Sequence, residues 1–65
     1  SGEANQTPKA PEMIELTEER RQKLIKFIEG NKWIPKTAKE RTIGKLKKEK
    51  VPAEMVSRIE SRMGG

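Results

Sequence analysis

Cysteine, histidine and tyrosine are absent from this 65-residue chain, and it carries one tryptophan and one phenylalanine. Without cysteine no disulfide can brace the fold, which excludes the disulfide-rich secreted class and fits a periplasmic or a cytosolic protein equally. A structural zinc site would have neither thiolate nor imidazole to build on. General acid–base chemistry would fall to a carboxylate or a lysine, and so short a chain has no room for a sheltering pocket. The expectation is a protein that is not an enzyme, with no cofactor, no metal and no small-molecule substrate. No apolar run approaches the roughly 20 residues of a membrane-spanning helix, and no signal-peptide pattern is present. If the protein is exported, its address is expected upstream of residue 1.

Chains of this size bury only about 60% of their unfolded surface and are marginally stable. Hydrophobic residues make up 31% and charged residues 38%, a balance that leans toward disorder. The apolar residues are clustered, however, and the clusters carry helical spacing. Residues 1–15 are expected as a flexible linker or arm, because SGEANQTPKAPE has two prolines and no bulky apolar group. Met13 and Ile14 are its only apolar neighbours. Residues 16–65 then read as one small all-α domain of three helices, over about 17–29, 36–48 and 52–63.

Thr17 suits the N-cap of the first helix, with Glu18 and Glu19 at the positive end of the macrodipole. Leu24, Ile25, Phe27 and Ile28 give that helix an apolar face, and Gly30 is placed to end it in a left-handed conformation. The second helix opens after Ile34-Pro35, since proline suits a first turn; Thr37 with Glu40 offers a capping box as a competing start. Its apolar stripe, Ala38, Ile43 and Leu46, is thin. Gly44 inside it costs about 1 kcal/mol relative to alanine. Val51-Pro52 repeats the apolar–proline opening before Met55, Val56, Ile59 and Met63. The two segments also share an arginine six residues after the proline (Arg41, Arg58) and an apolar residue eleven after it (Leu46, Met63). Shared helix-start grammar accounts for this better than a repeat. The expected core is Leu24, Ile25, Phe27, Ile28, Trp33, Ile34, Ile43, Leu46, Val51, Met55, Val56, Ile59 and Met63.

Charge is concentrated in one stretch. Residues 31–50 hold Lys32, Lys36, Lys39, Arg41, Lys45, Lys47, Lys48 and Lys50 against Glu40 and Glu49, a net +6 within a chain of net +5. Clustered cations gain from displacing phosphate counterions, so these eight form a candidate surface for an anionic partner, nucleic acid or acidic lipid. At about 100° per residue they wrap around the helix instead of sharing a face. Base readout would usually want an Asn, Gln or Arg at one end of a recognition helix, where lysine dominates here, and a single-strand binder would want more stacking aromatics. The plainer reading is a solvated face that keeps the domain soluble.

Trp33 precedes the second helix and either plugs the end of the core or stands exposed as a contact anchor. The plug is favoured, because few other large groups can fill the space. Met13, Met55 and Met63 could in principle hold a soft metal such as Cu(I), but no histidine or cysteine completes a site. Core filling is the better reading of them.

Beyond these local patterns, LTEERRQKLIKFIEGN, WIPKTAKERTIGKL and KVPAEMVSRIESRMGG resemble the C-terminal appendage of periplasmic adaptor subunits. These are the membrane fusion proteins of resistance-nodulation-division efflux systems. The likeness rests on the LT helix start, Ile34-Pro35, Val51-Pro52-Ala53 and the terminal Arg62-Met63-Gly64-Gly65, and covers about residues 16–65. It implies a periplasmic module, tethered to the inner membrane through a longer chain, that makes protein contacts with the pump or a neighbouring adaptor. Such tails carry more alanine and less lysine, so charge-based binding stays open. The rival expectation is a small basic nucleic-acid-binding domain, in the cytoplasm, that contacts phosphates through residues 32–50.

Overall fold

A computed structural model describes residues 10–64; residues 1–9 of the expected arm, and Gly65, lie outside the described residues. The elements run β1 (Met13–Glu15), α1 (Glu18–Glu29), α2 (Lys36–Leu46), β2 (Lys50–Pro52) and α3 (Ala53–Gly64). The three expected helices are all present, with ends moved by one or two residues. None is long and apolar enough to cross a membrane.

The addition is a two-stranded antiparallel sheet. Met13 pairs with Pro52, Ile14 with Val51 and Glu15 with Lys50. One further bond, from the Ala53 amide to the Glu12 carbonyl at 2.9 Å, carries the pairing to the start of α3. Ordered structure thus reaches back to Met13, inside the stretch expected as an arm. Ile14 and Val51 form the inward pair: Val51 is fully buried and Ile14 half-buried. This ladder joins the front of the domain to the link between α2 and α3.

α1 begins as its sequence suggests, with the Thr17 hydroxyl accepting the Arg20 amide at 3.2 Å. Its end differs. Gly30 is right-handed, at φ −85° and ψ −1°. Its amide still reaches the Lys26 carbonyl at 3.0 Å, and the Asn31 amide bonds to Ile28 at 3.2 Å. The chain therefore leaves α1 by a right-handed turn, and no left-handed cap is needed. α2 starts at Lys36 with Pro35 as its N-cap, and the capping box at Thr37 and Glu40 is not used. Pro35 offers its carbonyl to the Lys39 amide at 2.8 Å, so the helix is under way before Thr37. It stops at Leu46, short of the expected Lys48.

The core is wholly apolar: Leu16, Leu24, Ile25, Ile28, Leu46, Val51, Val56 and Ile59, with Ile14, Phe27, Ile34, Ile43 and Met55 packed against it. Eleven of the thirteen expected core residues thus reach it, four of them (Phe27, Ile34, Ile43 and Met55) only in part. Trp33 and Met63 do not, being 92% and 37% exposed. Leu16, outside any expected helix, is buried instead, because the ladder folds the preceding chain onto the core. Ala38 is exposed, so the inner stripe of α2 is thinner still. Both residues before the helix-starting prolines, Ile34 and Val51, turn inward. The likeness between the second and third helical segments ends there, since Leu46 is buried where Met63 is exposed.

Candidate interaction surface

Of the eight cations of residues 31–50, six lie at the two ends of α2. Lys32 and Lys36 flank Trp33 at the start of α2, and Lys45, Lys47, Lys48 and Lys50 gather at its far end. Nine steps along α2, from Lys36 to Lys45, separate these regions by about 14 Å at 1.5 Å per residue. Arg41 lies between them on the outward side, and all seven are exposed. Lys39 differs. It is half-buried, and its ammonium donates to the Glu29 carbonyl at 3.1 Å, which ties the start of α2 to the end of α1. Among the described residues the ion pairs are Arg20–Glu60, Arg21–Glu18, Lys23–Glu19 and Arg58–Glu54, so none uses a cation of this segment. Lys50 stands opposite Glu15 in the ladder.

Trp33 sits where the turn between α1 and α2 puts it. The Asn31 side-chain oxygen accepts the Trp33 amide at 2.8 Å, which fixes the local turn. Ile34, the next residue, takes the inward position. Size favoured Trp33 as a plug, but the turn gives the inward position to Ile34 and leaves the indole in solvent. Met55 fills space against the core, as expected of it; Met13, at 45% exposed, and Met63 do not. Among the described residues no cluster of three acidic, histidine or cysteine side chains could hold a metal.

A second feature was not foreseen. An open groove of about 830 Å³ runs between the helices, with Phe27, Ile28, Ile34, Met55 and Ile59 on its apolar lining. Lys45 on α2 and Arg58 and Arg62 on α3 line it too, and Glu12 and Glu54 supply the opposite charge. Lys45 is thus the one member of the basic segment that faces both solvent and groove. The spacing of Met55, Ile59 and Arg62 along α3 marks a shared side of that helix. The groove itself arises from how three helices are set, which the spacing alone does not specify.

Two arginines hold this arrangement. Arg20 forks onto Glu60 of α3 through two bonds of 2.6 and 2.7 Å. Hydrogen bonds from Arg20 lower the Glu60 pKa below its ordinary value, against an opposing effect of burial; the same bonds raise that of Arg20. Arg21, one residue on, points to α2 instead: its guanidinium donates to the Leu46 carbonyl and to the Lys48 carbonyl, the latter at 2.6 Å.

Compared with known protein families, curated proteins and solved structures, the chain matches none.

Proposed function

We propose that the chain is a non-catalytic contact module hung from a larger protein, in the manner of the C-terminal appendage of a periplasmic efflux adaptor. On this reading it works in the periplasm, tethered to the inner membrane through the rest of its chain. It contacts the inner-membrane pump or a neighbouring adaptor subunit. The observation that carries the contact role is Trp33. A domain with so little apolar material leaves its largest apolar side chain 92% exposed, between Lys32 and Lys36. Indole combines a large apolar face with a polar N–H, and tryptophan is enriched among the anchors of protein interfaces. The adaptor setting is supported by the sequence likeness over residues 16–65.

The test is a photoreactive side chain placed at position 33 of the full-length protein in cells. Crosslinks to the pump or to a second adaptor are expected, together with reduced export in the Trp33→Ala variant. Unlinked protein and unchanged export would refute the reading.

A second reading is favoured by one observation: the cations of residues 31–50 form no ion pair among the described residues. A phosphate backbone would satisfy them. Titration with short DNA and RNA at two salt concentrations separates the two readings, since each neutralised phosphate adds nearly one unit to the log–log salt slope. Tight binding that falls steeply with salt favours nucleic acid; none at low salt removes it.

A further inference from the structure

The groove between α2 and α3 carries an inference of its own. We propose that it docks an acidic amphipathic helix from a partner protein. This deepens the reading of the chain as a contact module but places the contact in a groove that Trp33 does not line.

The floor supplies the first argument. Phe27, Ile34 and Met55 pack against the core and also line the groove, each only half-buried. Apolar side chains are scarce in this domain, and three of them border one opening. Methionine adds adaptability, because its unbranched thioether can repack around different shapes. The opening supplies the second. It is a groove of about 830 Å³ open to solvent, so an elongated occupant can lie in it and keep its outer face in water. A helix laid along it would reach the floor with side chains at i, i+3, i+4 and i+7.

Charge selects the partner. Lys45 stands on the α2 wall, with Arg58 and Arg62 on the α3 wall. Arg58 and Glu54 pair with each other at 2.8 Å and cancel, which leaves Lys45 and Arg62, one on each wall, against Glu12 at the end of the ladder. The +6 stretch of residues 31–50 adjoins the α2 wall. An acidic helix would be steered in and would meet cations on both sides. A second copy of this chain, at net +5, would bring the same charges against themselves. The N-terminal residues SGEANQTPK have no bulky apolar side chain to fill the floor.

The probe is a synthetic amphipathic helical peptide with leucine on one face and glutamate on the other, titrated into the isotope-labelled 65-residue chain. Its counterpart carries lysine in place of glutamate. The acidic peptide is expected to bind at least about tenfold more tightly than the basic one and to weaken with salt. Amide shifts should centre on Thr42, Met55 and Ile59. Met55→Glu is expected to lower the affinity about tenfold, in keeping with loss of a central apolar contact. Arg62→Glu, on an exposed residue outside the core, should weaken binding without changing the melting temperature. Trp33→Ala should bind the peptide unchanged, so loss of its crosslinks in cells and loss of the groove are separate outcomes. Equal affinity for both peptides, no binding at millimolar concentration, shifts centred on Trp33, or dimers of the chain alone would each overturn the proposal.

Discussion

Arg20 and Arg21 are neighbours in sequence yet bind different helices, because successive side chains on a helix diverge by about 100°. Arg20 reaches α3; Arg21 reaches the end of α2. The last carbonyls of a helix have no donors within it and carry the negative end of its dipole. Arg21 brings a cation and several N–H donors to that end, with its side chain only 14% exposed. α2 has the weakest credentials of the three helices, with no side-chain N-cap and a glycine within it. It is therefore held partly from outside. Arg21→Ala is expected to lower stability by about 2 kcal/mol, the range for hydrogen bonds with a charged partner, measured as a shift in the urea midpoint. Arg21→Lys should recover only part of this, because an ammonium lacks the planar fork. A loss within error for Arg21→Ala would show that α2 stands without the clasp.

At the scale of elements, the helices were legible because each spans three turns and repeats its apolar positions. The strands were not. Three residues give too short an alternation to register, and two helices separate β1 from β2 along the chain, so no local signal pairs them. Leu16 was missed for the same reason, since what buries it is the ladder. The eight cations could be read from the sequence, but the placing of six of them at the ends of α2 depends on where that helix begins and ends. The groove depends on helix placement. Glycine gives an element-scale test. Gly44 lies on the exposed side of α2, and a Cβ added there would meet nothing within 4 Å. Gly44→Ala should raise stability by about 0.8 kcal/mol, the difference in helix propensity. At Gly30 a Cβ would meet the Lys26 carbonyl at 3.4 Å, an ordinary contact, and φ is already negative. Gly30→Ala should then be neutral or slightly stabilising, by up to about 1 kcal/mol through the unfolded state. A left-handed cap would make that same change destabilising, so thermal melts of the two variants check the turn directly.

At the scale of the whole molecule, the described residues share a small core of eight buried side chains, none of them polar. Such a core leaves charge pairing to act at its edges, and the Arg20–Glu60 fork ties the first helix to the last. This makes overall stability depend on pH in a direction that can be worked out. Hydrogen bonds from Arg20 favour the ionised form of Glu60, so its folded pKa lies below the ordinary value of 4.5. Above that value the carboxylate is charged in both states and the fork contributes fully. As the pH falls below it, the unfolded chain takes up the proton first, and the contribution drains away until the folded group is protonated as well. Both side chains are more than a third exposed, so salt screens the pair and its contribution is modest. Glu60→Gln should therefore lower the melting temperature at neutral pH, have less effect in acid, and flatten the acid limb of the stability curve. An acid limb of unchanged steepness in this variant would mean that other carboxylates set it and that the fork does not brace the domain.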